Sequence, residues 1–244
     1  MQHLHKYTGF GLNIESELEF PELLVSTFEK PDLTISYRSI SASLFPEGDL
    51  TKSFTSFQEK EFLLNFPKIA RYKATDGNSI LIDPYPDADI ESVRLFLLSI
   101  TMAAILTQRK KILLHTSAIL QNEELILFIG ESKAGKSSIA AELSKRGYTI
   151  FSDDVCVLEQ NDAENNRILA YSSYPMLKLW DDTLIKLNDQ QFDKSYKIRP
   201  ALDKYGQFFH GNFVGSFHHF KPLGIIMLDM AVIMVGGLCQ IFRQ

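Results

Sequence analysis

The stretch Gly130-Glu131-Ser132-Lys133-Ala134-Gly135-Lys136-Ser137 limits what this chain can fold into more than any other. It fits G-x-x-x-x-G-K-[ST], a loop whose successive backbone N–H groups turn inward on phosphate oxygens. The pattern carries meaning only between a strand and a helix, and both flanks are present. Leu125-Ile126-Leu127-Phe128-Ile129 is a short continuous apolar run, as a buried strand requires. Residues 138–146 place Ile139, Ala140 and Leu143 on one helical face, with Gly147 following as a C-cap. The unit therefore predicts nucleotide binding by Gly130, Glu131, Ser132, Lys133, Ala134, Gly135, Lys136, Ser137 and Ser138. Lys136 would bring a mobile cation to the outer phosphates. The Ser137 hydroxyl suits Mg²⁺, a hard ion that prefers oxygen.

A second signal follows the helix. Tyr148-Thr149-Ile150-Phe151-Ser152-Asp153-Asp154 is an apolar strand that ends in paired carboxylates. In open α/β sheets the C-terminal ends of parallel strands face the ligand crevice. One carboxylate there can hold Mg²⁺, and the other can take a proton from an attacking hydroxyl. Adjacent side chains on a strand point to opposite faces, so Asp153 and Asp154 are expected to do different jobs. Before the loop, residues 111–120 read as one strand containing His115, and the polar turn Gln121-Asn122-Glu123-Glu124 makes it an antiparallel neighbour of 125–129. By itself His115 reads as a half-buried structural residue.

The rest of the chain is less specific. Residues 1–86 look β-rich: 33–37 alternate apolar and polar, 61–65 and 69–74 are strand candidates, and Asp76-Gly77-Asn78 turns a hairpin into 79–82. This region is expected to be a small accessory layer or a substrate-facing domain. Asp87 and Asp89 offer N-caps for a core helix over 90–108, assigned to a second domain spanning 87–244. Asp181 and Asp182 are expected to cap a helix over 183–187, while Trp180, Leu177 and Leu179 read as core. Residues 208–213 form an aromatic stretch, and His210, His218 and His219 lack metal-ligand spacing. A net charge of -5 argues against a basic nucleic-acid surface. Two cysteines exclude a disulfide framework, and the N-terminus has no signal-peptide pattern, so a cytoplasmic location is expected. The apolar run 222–242 is broken by Asp229 and reads as buried structure, so no membrane partner is expected.

Together these motifs resemble the catalytic domain of HPr serine kinase/phosphorylase, and more closely the HPr-kinase-like proteins of bacterial peptide-modification and uncharacterised operons. The resemblance covers about residues 88–228. It rests on Leu114-His115-Thr116-Ser117-Ala118, the phosphate loop, Lys145-Arg146-Gly147-Tyr148, Asp153-Asp154 and Leu177-Lys178-Leu179-Trp180-Asp181. It implies an α/β fold of the P-loop HPr-kinase/phosphoenolpyruvate-carboxykinase type, with ATP and Mg²⁺ as cofactors. It implies that Lys136 stabilises the transferring phosphoryl group, that Ser137 and Asp153 ligate the metal, and that Asp154 is the base. His115 falls where the family has an active-site histidine, near the phosphates or the metal.

Four departures stand out. The N-terminal region is unlike that of HPr kinase/phosphorylase, so the resemblance implies neither HPr as substrate nor phosphorylase activity. Lys133 replaces the family's usual glycine. Its late basic segment is not recognisable, leaving Arg199 and Lys204 as candidate anion contacts or surface charges. The chain after residue 229 is short and unlike the family, so its last elements are expected to be missing or altered.

The expected function is Mg·ATP-dependent phosphoryl transfer to a hydroxyl, with a peptide or protein serine as the acceptor. A small-molecule acceptor and a homo-oligomer stay open. The alternative is a non-catalytic ATP-binding module. A phosphoenolpyruvate-carboxykinase-like enzyme ranks third, because no arginine set for a dicarboxylate is found.

Overall fold

The computed structural model describes residues 4–121, 124–161, 167–188, 192, 194–209, 218–219, 222–227, 232–235 and 238–241. It is mixed α/β, with a large sheet and few helices. The chain divides into two units. One holds Met1–Thr8, Leu12–Lys111 and Ile198–Leu202; the other holds Gly9–Gly11, Ile112–Lys197 and Asp203–Gln244.

The first unit is built on an eight-stranded sheet. Its strands are β1 (His5–Gly9), β2 (Leu12–Ser16), β3 (Leu24–Val25), β4 (Leu33–Tyr37), β5 (Phe54–Phe57), β6 (Glu61–Phe66), β7 (Ala70–Thr75) and β8 (Ser79–Pro84). They lie in the order β3-β1-β2-β4-β8-β7-β6-β5. The β7–β8 hairpin forms as the sequence predicts. Asp76 and Gly77 have φ of 53° and 68°, the two successive left-handed residues of a type I′ turn. The expectation of a small layer is corrected. Strand β4 pairs in parallel with both β2 and β8, joining two local hairpin regions into one sheet. Parallel neighbours are distant in sequence and leave no local signature.

The helix over Ile90–Gln108 runs as α1 (Ile90–Phe96), a π-helical segment (Leu97–Thr101) and α2 (Met102–Gln108). Asp89 caps it by accepting from the Ser92 N–H at 2.8 Å. It is long and apolar enough to cross a membrane by length and composition. Here Leu97, Met102, Ile105 and Leu106 are fully buried core residues. The helix also corrects the domain boundary expected at residue 86. It belongs to the first unit, because Tyr72 Oη on β7 donates to Val93 O at 2.9 Å and Gln108 Oε1 accepts from Gly77 N–H at 2.7 Å. Tyr72 is wholly buried, so Tyr72→Phe leaves the Val93 carbonyl short of a donor. The expected cost is about 1 kcal/mol, read as a lower urea midpoint at unchanged slope.

In the second unit, β10 (Thr116–Gln121) lies between β11 (Glu124–Ile129) and β12 (Thr149–Ser152), antiparallel to both. β11 and β12 therefore run the same way and end at one edge. β18 (Pro222–Met227) pairs in parallel with β11. A second sheet contains β9 (Ile112–Leu114), β13 (Cys156–Asn161), β14 (Arg167–Ser172) and β17 (His218–His219). Leu125, Leu127, Ala118 and Phe151 from the first of these sheets pack with Cys156 and Ala170 from the second. Burial there pushes the Cys156 thiol up to about 12. On β12 the next side chain points the other way. Ile150 packs with Ala140 and Ala141 of α3 (Lys136–Lys145) and with Leu177 and Leu179 of β15 (Met176–Trp180). The layers follow from the period of two in each strand.

The strand expected over 111–120 is broken at His115. β9 pairs with β13 and β10 with β11, so the chain passes from one sheet to the other there. The helix expected over 183–187 is α4 (Asp181–Leu187). Asp181 and Asp182 stand in its first turn, and no side chain caps it. β16 (Lys204–Phe208) pairs antiparallel with β15. The apolar run 222–242 contributes β18 and the antiparallel pair Val232–Val235 and Leu238–Ile241. His210 and residues 210–213 of the aromatic stretch, like Asp229, lie outside the described residues.

Candidate active site

The loop Gly130–Gly135 joins β11 to α3 as the sequence predicts, with the helix beginning at Lys136. Gly135 sits at φ 93°, and a Cβ there would meet nothing within 4 Å. Glycine is needed for the backbone angle, not for want of space. Lys133 also has positive φ, 72°. Left-handed backbone costs a non-glycine residue about 1–2 kcal/mol, while a glycine costs about 0.5–1 kcal/mol in chain entropy. Lys133→Gly is thus expected to raise stability by about 0.5 kcal/mol, seen as a small upward shift of the urea midpoint. No side chain caps α3, so its first amides are left for another acceptor.

Lys136 is buried and bends back over the loop. Its ammonium donates to Gly130 O at 2.8 Å and Glu131 O at 2.7 Å. Ser137 Oγ donates to Asp153 Oδ1 at 2.9 Å. Asp153 is almost wholly enclosed and accepts two further hydrogen bonds, from Ser117 Oγ at 2.5 Å and from the Lys178 backbone N–H at 2.9 Å. Three donors hold this carboxylate beside the loop serine.

Asp154 faces elsewhere, for a reason the sequence does not display. β12 ends at Ser152, and Asp154 turns into the left-handed region at φ 72° while the Val155 N–H donates to Asp153 O at 2.9 Å. A tight turn, rather than strand alternation, separates the two carboxylates. Lys178 Nζ donates to Asp154 Oδ2 at 2.6 Å. Burial would raise the Asp154 carboxyl, but the Lys178 ammonium and its hydrogen bond outweigh this, with help from Lys204 and His115, and hold it at about 2. Burial equally opposes charge on Lys178; Asp154 and Tyr174 keep its ammonium above the ordinary lysine range. The pair is charged at neutral pH.

His115, at the crossing between sheets, has Nδ1 2.8 Å from Asp154 O and 3.5 Å from Asp154 Oδ1. A carbonyl only accepts, so Nδ1 carries a proton and donates it to Asp154 O.

These groups line one cavity of about 420 Å³. Of the expected residues, His115, Ser132, Lys133, Gly135, Lys136, Ser137, Ser138, Asp153 and Asp154 reach it. Gly130 and Glu131 contribute through the carbonyls that hold Lys136, and the Ala134 N–H closes the loop turn on Glu131 O at 3.2 Å.

Sequence reasoning missed Lys178, Trp180 and Thr183, which also line the cavity. Ser117 was missed as a partner of Asp153. The signal was present in the Leu-His-x-Ser-Ala and Leu-Lys-Leu-Trp-Asp segments. The core expectation holds for Leu177 and Leu179, each 1% exposed, but fails for Trp180, which lines the cavity. Strand alternation sends Lys178 and Trp180 to the face opposite Leu177 and Leu179. Lys204 is in the cavity wall, whereas Arg199 belongs to the first unit, with its guanidinium 5.7 Å from the Phe96 ring centroid.

Among the described residues no cluster of three or more His, Cys, Asp or Glu side chains could hold a metal. One hydroxyl and one carboxylate, Ser137 and Asp153, are instead the sparse oxygen donor set that suits Mg²⁺ shared with phosphates and water.

No protein-family model matches the chain, and no curated protein matches it. Among solved structures, it is similar to the Hpr(Ser) kinase/phosphatase from Coxiella burnetii, at 19% identity and a TM-score of 0.32. That alignment covers 48% of this chain and 64% of the other, so the chain spans less than two thirds of that protein's length.

Proposed function

We propose that this protein is an ATP- and Mg²⁺-dependent kinase that transfers the γ-phosphoryl group to a hydroxyl, that of a peptide or protein serine. The observation that carries the reading is the convergence on one cavity of Lys136, the Ser137–Asp153 pair and the Asp154–Lys178 pair. The motif resemblance to HPr kinase supports the same reading.

Ser137 Oγ and Asp153 would hold Mg²⁺, which when bound draws charge off the phosphate oxygens. Lys136 would exchange its loop carbonyls for phosphate oxygens, because the ammonium then faces a full negative charge in place of a carbonyl dipole. The uncapped amides of α3 favour the same anion. Asp154, ionised and anchored through Oδ2, presents Oδ1 to orient the acceptor hydroxyl. A carboxylate held near 2 is a weak base, so it takes the proton late, as a loose phosphoryl-transfer transition state requires. His115 fixes the Asp154 turn from Nδ1 and offers Nε2 to the cavity.

That weak basicity also favours the second reading, a module that binds ATP without transfer. The experiment that separates them incubates the full chain with Mg²⁺, γ-labelled ATP and serine-containing peptides encoded beside its gene. Mass spectrometry then looks for an added phosphate. Phosphorylated peptide supports the kinase; tight ATP binding with no transfer to any peptide supports the module; no ATP binding removes both.

A further inference from the structure

Among the described residues, two cations of the cavity have no carboxylate within ion-pair distance. Lys204 Nζ lies 5.4 Å and Lys133 Nζ 5.6 Å from the centroid of the Trp180 ring. Among the described residues neither ammonium makes a hydrogen bond or an ion pair. The other lysines are committed, Lys136 to the loop carbonyls and Lys178 to Asp154. The carboxylates are committed too. Asp153 accepts three hydrogen bonds, Asp154 holds Lys178, and Asp182 lies 3.9 Å from Lys186.

A cation over an aromatic ring gains about 0.5–2 kcal/mol, less than the cost of withdrawing half-buried Lys204 from water without an ion-pair partner, whereas Lys133 is exposed. Burial pushes the Lys204 ammonium below the ordinary lysine range, and Lys178 and Lys136 add to this against the opposing pull of Asp154 and Asp153. An entering anion would relieve the deficit.

The position of Lys204 says which anion. Lys204 stands directly opposite Trp180 in the β15–β16 register, and Lys178 is two residues before Trp180 on the same strand face. This face leads through Lys178 to Asp154, while Lys133 reaches Trp180 from the phosphate loop. We infer that Lys204 and Lys133, on Trp180, form a subsite for an oxyanion carried by the phosphoryl acceptor. The acceptor is then a hydroxyl with a carboxylate or phosphate close by. The word acceptor rests on the kinase reading above; the anion subsite itself does not.

Trp180 is the single tryptophan of the chain, so its fluorescence reads this subsite directly. The probe is inorganic phosphate, titrated into the full chain alone and saturated with the non-hydrolysable analogue Mg·AMP-PNP, with calorimetry in parallel. Phosphate is expected to bind in both states. Lys204→Met should weaken phosphate at least about tenfold and leave AMP-PNP affinity within about twofold; Lys136→Ala should do the reverse. Lys133→Met should also weaken phosphate, in smaller measure; because Lys133 is a loop residue, AMP-PNP affinity is judged on Lys204 variants alone, with Lys204→Gln serving if Lys204→Met does not fold. Strict competition between phosphate and AMP-PNP, equal losses for both probes, or no phosphate binding would overturn the subsite. Phosphate binding through Lys204 without AMP-PNP binding would keep the subsite and remove the kinase reading.

Acetate in place of phosphate separates the two anion sources. If acetate also binds through Lys204, a carboxylate source is supported; if only phosphate binds, the source is a phosphate. The acceptor assignment is read from transfer to serine peptides with Asp or Asn beside the serine, or with phosphate in place of the Asp carboxylate. A preference of at least about tenfold for the anionic peptide, lost in Lys204→Met, supports it; equal transfer to all of them overturns it.

Discussion

Lys136→Ala is expected to weaken Mg·ATP binding by about 100-fold, or ~3 kcal/mol, the scale for deleting one partner of an enclosed charged hydrogen bond. Its ammonium already lies across the loop mouth, bonded to Gly130 O and Glu131 O, so a phosphate meets it without a large rearrangement. Folding should change little, because those two carbonyls lie in a loop that water can reach. Lys136→Arg should recover only part of the affinity, since a planar fork does not replace a compact point charge in a tight loop. The measurement is calorimetric titration with Mg·ATP, alongside a thermal melt to verify folding. ATP affinity within twofold of the parent protein would remove the loop from the nucleotide site.

The Asp154–Lys178 pair carries the second large effect. Lys178→Met leaves Asp154 without its cation and should destabilise the fold by about 3 kcal/mol, the lower end for a broken buried pair because Asp154 keeps some solvent contact. Asp154→Asn strands Lys178 in the same way, so the double variant should be more stable than the sum of the singles predicts. A coupling of about 2 kcal/mol in the double-mutant cycle would establish the pair. If the two effects simply add, the contact contributes nothing specific.

The pH dependence has a defined sign. The folded Asp154 carboxyl, at about 2, lies below its ordinary 3.8, so its contribution is complete above the ordinary value and is lost as pH falls toward 2. About 2 kcal/mol disappears across that window. In Lys178→Met burial is opposed only by the smaller pull of Lys204 and His115 and lifts the carboxyl, so acid stability should improve relative to neutral stability. Thermal melts from pH 2 to 7 on both proteins read this reversal. Asp154→Asn should also abolish phosphoryl transfer while sparing Mg·ATP binding, as the Asp154 carboxylate is bonded to Lys178 and not to a loop residue. If transfer survives, His115 Nε2 or Asp153 must take the proton.

Much of the site was legible before any coordinates. The glycine loop, the strand before it and the helix after it are contiguous, and contiguous features are written in local pattern. The same holds for the β7–β8 hairpin, with its Asp76-Gly77 turn, and for the Asp89 cap. Lys178 and Trp180 were not assigned to the site from sequence, and Lys204 was left between an anion contact and a surface charge, because β15 and β16 come to the loop only through sheet pairing and the packing of α3. On their own strands they look like an interrupted apolar run and a surface lysine. The break at His115 was hidden for the same reason: an unbroken β-type sequence can leave one sheet and enter another wherever packing on both sides demands it.

The sequence by itself determined a strand–loop–helix unit with Lys136 and Ser137 at its centre and a carboxylate pair shortly after it, because spacing along the chain alone sets those positions. Only the tertiary structure decided what the carboxylates do. Three donors from β10, α3 and β15 hold Asp153 against Ser137, and a left-handed turn sends Asp154 to a lysine twenty-four positions away. Charge, burial and hydrogen bonding act through space, and they give separate partners to two identical neighbouring residues for which sequence could only expect different roles.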